Sequence, residues 1–200
     1  MQLAREDIYF LRSLCRGIFA LALSAVVLVA LFIASYQFRE PKTANSAIDT
    51  TILGKQFKTI LGTSRIQENA LLITGLEAQK DGNNALITTH LVFDAQNYPY
   101  LRYRIDGLQP GVGVQFFWNT AENPEQTFTA VIPNKSGTSS TFNLGAQPAW
   151  QGTITDIALF ITGDLRAQPL RIPEITFAAH SGHALVASIW SDWTAFRGWS

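Results

Sequence analysis

The chain has 200 residues, with 15 Lys and Arg against 15 Asp and Glu, so its formal net charge is zero. Without a basic excess no field gathers a polyanion, and nucleic acid is excluded as a partner. A single cysteine excludes an intrachain disulfide, so the folded part must rest on an apolar core, which a chain of this length is able to bury.

The first element is an uncharged run of 22 residues, Gly17 to Phe38, between Arg16 and Arg39. Roughly 20 residues at about 1.5 Å each cross a hydrocarbon core of about 30 Å, so residues 17–38 are expected to form one transmembrane helix. The run is longer than a signal-peptide core, and Phe32-Ile33-Ala34-Ser35 lacks a small-x-small cleavage pattern, so the helix is expected to persist as an anchor. Arg5, Arg12 and Arg16 precede it while Arg39 and Lys42 follow. That bias places residues 1–16, including Cys15, in the cytoplasm and the rest of the chain across a single-pass membrane. Ala20 with Ser24 and Ala30 with Ala34 put small residues four apart, a spacing that permits pairing with a second copy.

Residues 39–48 form a polar linker whose Pro41 stops the helix. From residue 49 to residue 178 the period changes to two. Strands are expected at 70–74, 85–93, 100–105, 112–118, 127–132, 140–144, 153–162 and 170–177, from runs rich in β-branched and aromatic residues. Turn signals separate them, among them Asp81-Gly82-Asn83-Asn84, Gln109-Pro110-Gly111 and Asn134-Lys135-Ser136-Gly137. Short strands at that spacing predict a mainly β protein, a sandwich or a barrel. In 100–105 the alternation sets Leu101, Tyr103 and Ile105 on a core face and Tyr100, Arg102 and Arg104 on a wet one. In 153–162 Thr155, Ile157, Leu159 and Ile161 alternate with Ile154, Asp156, Ala158 and Phe160, so this strand is expected at the centre of a sheet, covered on both faces.

Residues 179–200 are expected to form a short Trp-rich amphipathic helix. Leu185, Val186, Ile189, Trp190, Trp193, Phe196 and Trp199 recur at intervals of three and four. Tryptophan favours the bilayer interface and the segment is too short to span, so Leu185, Ile189, Trp190, Trp193, Phe196 and Trp199 are read as contacts to membrane lipid or a membrane protein partner. The alternative is that the stripe packs on the sandwich.

The order Tyr100-Leu-Arg-Tyr-Arg-Ile105, Gly113-Val-Gln-Phe-Phe-Trp118, Thr141-Phe-Asn-Leu144, Trp150-Gln-Gly152 and Ile157-Ala-Leu-Phe-Ile161 resembles the galactose-binding-like jelly rolls that include many carbohydrate-binding modules. The likeness covers about residues 65 to 177. It implies a jelly-roll β-sandwich, a glycan as ligand and, from relatives in bacterial envelope proteins, an inner-membrane chain with a periplasmic β-domain. Those relatives often carry Leu-Arg-Ile-Asp-Pro in the later strand; Leu159-Phe160-Ile161-Thr162-Gly163-Asp164 departs from it, which argues against a metal or sugar site at that strand end.

Sugar binding needs aromatic faces with amides, carboxylates or guanidinium groups beside them. Tyr98, Tyr100, Arg102, Arg104, Trp118 and Trp150 are the candidates. Against them stand two plainer readings: that Trp118 and Trp150 plug the sandwich edge, and that the tyrosines and arginines form a solvated face. Catalytic patterns are missing: no Gly-x-Ser-x-Gly elbow, no His-Glu-x-x-His, no phosphate loop, and Glu122 with Glu125 share one loop instead of flanking a bond. His180-Ser-Gly-His183 lacks a third ligand nearby, so neither metal nor cofactor is expected. The sequence therefore predicts a non-catalytic, membrane-anchored β-sandwich assisting a glycan- or polysaccharide-handling system. The alternative is an accessory subunit of a membrane protein complex that binds no sugar.

Overall fold

The computed structural model describes residues 18–19, 21–30, 48–133, 137–165 and 168–194, with the backbone alone for 191–194. It divides into two compact units, Met1–Thr43 and Ala44–Ser200. In the first, residues 18–19 and 21–30 are helical, and Leu21, Leu23, Val26, Val27, Leu28 and Val29 are all exposed. Among the described residues no helix is long and apolar enough to cross a membrane. Of the expected span 17–38, residues 17, 20 and 31–38 lie outside the described residues, as do residues 1–16 and the linker up to residue 47.

The second unit is mainly β. Its strands are β1 (Thr50–Leu53), β2 (Lys58–Leu61), β3 (Thr63–Gln67), β4 (Ala70–Gly75), β5 (Glu77–Gln79), β6 (Gly82–Asp94), β7 (Tyr100–Tyr103), β8 (Gly113–Thr120), β9 (Asn123–Val131), β10 (Ser140–Asn143), β11 (Thr153–Thr162), β12 (Leu170–Ile172) and β13 (Glu174–Ala178). They form a four-stranded sheet, β1-β13-β7-β10, a six-stranded sheet, β2-β6-β11-β8-β9 with β5 on β6, and a three-stranded sheet, β12-β4-β3. The pairings are antiparallel throughout.

Alternation drives the assembly. Along β8 every second residue, Val114, Phe116 and Trp118, is buried while Gln115, Phe117 and Asn119 are half-exposed. The inward residues of all three sheets merge into one cluster that joins Leu101, Tyr103, Ile175 and Phe177 to Ile87, Phe116, Ile157 and Leu159, with Leu71, Ile73, Leu170 and Ile172 added by the third. Phe177 of β13 meets Phe93 of β6 at 4.8 Å and Phe116 of β8 at 6.2 Å between ring centroids, so the two larger sheets face each other across a shared aromatic core. This is the predicted β-sandwich.

β11 lies between β6 and β8, at the centre of its sheet as expected. Its alternation is broken, however, by a β-bulge between Ile154 and Asp156 against both neighbours. The extra residue turns Ile154 inward together with Ile157, Leu159 and Ile161, where uninterrupted alternation had set it on the opposite face.

Several strands have no counterpart in the sequence reading. β3 and β4 are joined by Glu68-Asn69, with φ of 50° and 64°, closing on the pair Gln67–Ala70. Two consecutive positive φ values make the tight hairpin turn that usually carries Asn-Gly, so its sequence signal is muted. The expected strand 170–177 is split at Pro173, which has no N–H for a ladder; its carbonyl instead accepts the Gly54 N–H at 2.7 Å.

The C-terminal helix, Gly182–Thr194, starts where the Ser181 hydroxyl accepts the Ala184 N–H at 3.1 Å. It packs on the outer side of the four-stranded sheet. Tyr100, Ala178, Ala184 and Leu185 form a second buried cluster with Ile189 against it. Tyr100 is therefore 1% exposed on the face where solvent was expected: the helix covers it, while Arg102 beside it stays half-exposed and Arg104 exposed. Phe196 and Trp199 lie outside the described residues, and Trp193 is described in its backbone only.

Candidate ligand-binding face

The residues expected to bind sugar do not meet on an exposed surface. Trp118 and Trp150 are 1% and 6% exposed, 5.5 Å apart and nearly perpendicular. Both indole N–H groups are satisfied inside the fold. Trp118 donates to the Ala149 carbonyl at 3.2 Å, and Trp150 donates to those of Ala95 and Tyr98 at 3.0 and 3.1 Å. Tyr98 lies edge-on to Phe93 at 5.1 Å, its hydroxyl donating to the Ile48 carbonyl and accepting from Thr50. Tyr100 stacks on His180 beneath the helix. Arg102 pairs with Asp49, and Arg104 donates from Nε to Asp106 at 2.8 Å. The two guanidinium groups thus brace the sandwich, and the aromatic rings fill it.

A different surface combines aromatic and polar groups. The outward face of the six-stranded sheet is assembled by register, not by sequence proximity. On β11, Phe160 lies opposite Leu86 of β6 and Gln115 of β8; Ala158 lies opposite Thr88 and Phe117; Asp156 lies opposite His90 and Asn119. β9 extends two of these rows with Val131 beside Gln115 and Thr129 beside Phe117, and β2 adds Lys58 beside Thr88. Phe117 and Phe160, diagonal neighbours on adjacent strands, stack with centroids 5.7 Å apart and planes 12° from parallel, and each keeps part of its surface in solvent. Val131 and Val92 are strongly exposed.

Polar groups flank this apolar floor. Nδ1 of His90 lies 3.1 Å from Oδ1 of Asp156, with both side chains largely in solvent. The Asn119 amide donates to the carbonyls of Pro124 and Gln126 and to the Thr127 hydroxyl, which fixes the β8–β9 hairpin over one end of the face. The Thr88 hydroxyl donates to the Ile157 carbonyl. In the same hairpin Glu122 accepts the Thr153 N–H with both carboxylate oxygens, at 3.0 and 3.1 Å, and that backbone bond holds its carboxyl below the usual carboxylate range. Its engagement with backbone gives it a structural role.

Among the described residues no group of three His, Cys, Asp or Glu side chains is placed to hold a metal. What the sheet offers is a shallow platform: two rings for stacking, aliphatic surface beside them, and amide, hydroxyl, imidazole, carboxylate and ammonium groups at the margin. Such a surface suits an extended ligand having apolar faces and hydroxyl edges.

No protein-family model matches the chain, and no curated relative does. Among solved structures it is similar to a low-affinity xylan-binding module, CBM86, from Roseburia intestinalis, at 15% identity, 68% of this chain, 98% of that one and a TM-score of 0.45. It is also similar to a family 29 carbohydrate-binding module, CBM29-2, at 15% identity, 68% and 96% coverage and a TM-score of 0.44. A third likeness is to the glycoside hydrolase domain structure of Endo-D from Streptococcus pneumoniae, at 16% identity, 64% of this chain but 21% of that one, and a TM-score of 0.43.

Proposed function

We propose that this chain is a non-catalytic, membrane-anchored β-sandwich of the bacterial envelope whose six-stranded sheet binds a glycan, assisting a glycan- or polysaccharide-handling membrane system. The observation that carries the reading is the half-exposed, near-parallel Phe117–Phe160 pair bordered by Lys58, His90, Asp156 and Thr129. A sugar ring presents an apolar C–H face that stacks on such rings and hydroxyls that meet polar groups at the rim. Supporting the anchor is the uncharged run from Gly17 to Phe38, of which residues 21–30 are helical with their leucines and valines outward. In this reading the β-domain is periplasmic and residues 1–16 are cytoplasmic.

The test is retention of the detergent-solubilised full chain in gels cast with soluble polysaccharides, including xylan and mannan. Phe117→Ala combined with Phe160→Ala removes both rings, and at about 0.5–1.5 kcal/mol for each aromatic contact the retention constant falls by about tenfold. Tyr100→Phe leaves it unchanged, because that ring is under the helix. Equal retention with and without the two phenylalanines overturns the site. If the native chain is retained by no glycan, the accessory-subunit reading takes its place, with the anchor and C-terminal helix as the working surfaces.

A further inference from the structure

The two sides of the C-terminal helix differ in exposure. Ala184, Leu185 and Ser188 are buried against the four-stranded sheet, and the Ser188 hydroxyl donates to the Leu185 carbonyl, so that side is apolar and satisfied. Val186 and Trp190, one helical turn apart, stand on the opposite side at 52% and 68% exposure. From Gly182 to Thr194 the titratable side chains are His183 and Asp192, and Trp193 follows Trp190 three residues on in the sequence. A helix of 13 residues is about 20 Å long, too short to span a bilayer but suited to lie along its surface. Tryptophan on such a helix favours the headgroup boundary.

The entry of the chain into the sandwich adds a second, independent observation. Asp49, next to β1, accepts the Ala179 N–H on Oδ1 at 3.0 Å while its other oxygen pairs with Arg102. The strand that follows the linker therefore begins beside the residues from which the C-terminal helix sets out. Residues 39–48 are ten in number and span at most about 35 Å when fully extended.

We propose that the Val186–Trp190 side of the C-terminal helix rests in the lipid headgroup boundary, so that the sandwich has two attachments to the bilayer, one spanning and one lying flat. The inference rests on the reading of 17–38 as the anchor. It separates the stripe read from the sequence into two parts: Leu185 and Ile189 hold the helix to the sandwich, and Val186 and Trp190 face lipid.

The experiment uses the full chain in phosphatidylcholine–phosphatidylglycerol vesicles. In a Cys15→Ser background, single cysteines replace Val186, Trp190, Val26 or Ile66, the last an exposed position on β3, and each carries a nitroxide. Collision with oxygen, which concentrates in lipid, is compared with collision with a water-soluble nickel chelate. Labels at positions 186, 190 and 26 are expected to show an oxygen-to-nickel ratio several-fold above that at position 66. If 26 is lipidic while 186 and 190 match 66, the helix inference is wrong and the anchor stands. If 26 matches 66 as well, both readings are wrong. A label at 186 that is immobilised and reached by neither reagent places a protein surface there and also overturns the lipid assignment.

Discussion

Trp150 shows how one side chain organises the interior. Its ring lies against Phe177 at 6.1 Å with planes 8° apart, meets Phe93, Phe116 and Trp118, and places its N–H on two carbonyls of the turn that follows β6. Trp150→Ala is expected to cost about 3–5 kcal/mol, the sum of lost burial and the cavity left behind, read as a lower urea midpoint with an unchanged slope. Two residues on, Gly152 has φ of 76°, and a Cβ there would stand 2.5 Å from the Glu122 carboxylate. Gly152→Ala is therefore strained in its backbone and also pushes on the carboxylate that clamps Thr153. Glu122 also sets a pH dependence. Its carboxyl is held down by the Thr153 N–H, so the unfolded chain binds its proton more readily than the folded one. The stability it supplies is complete above the ordinary carboxylate pKa and is lost as pH falls through the lowered folded value. Glu122→Gln, followed by thermal melting across the acid range, is expected to flatten that limb; an unchanged limb removes the clamp.

At the level of elements, the C-terminal helix decides how the four-stranded sheet is covered. Leu185→Ala opens a cavity against Tyr100 and Ala178, and the expected outcome is faster amide exchange in β7 and β10 and in the helix, with β11 still protected. Exchange that accelerates equally throughout would mean that the helix and sandwich unfold as one cooperative unit. The same element explains what could be read beforehand. β6, β8 and β11 were legible because long alternating runs survive in them, and the helix was legible from its repeat at three and four. Alternation tells which residues share a face without telling what lies over it, which is why Tyr100 looked wet. The bulge in β11 leaves no mark in the sequence, since Thr155 is as suited to a strand as its neighbours. The candidate face was missed for a related reason: Phe117 and Phe160 sit on strands far apart in the chain, and pairing alone brings them together.

For the whole molecule, neutrality bears on how the proposed anchor can be tested. With a net charge of zero there is little electrostatic attachment to disrupt, so membranes washed in concentrated salt or at alkaline pH are expected to retain the chain, and detergent to release it. Release by salt alone would show that no segment spans. The sheet face and the exposed helix side then make separable claims, since the Phe117 and Phe160 substitutions act on glycan retention while leaving membrane partition alone.

The pairing of β1 with β13 has a further consequence, for the order in which the protein is made. Thr51 and Thr176 bond across that ladder although 125 positions separate them. During synthesis β1 emerges early and has no partner until nearly the entire sandwich has followed it. The closing of this one ladder carries a large loop-entropy cost, so the sandwich is expected to refold slowly and as a late, single event. Until then the unpaired edges of β1 and β7 are open to other strands, and a nascent chain already tethered at its start would be held apart from its neighbours during that interval.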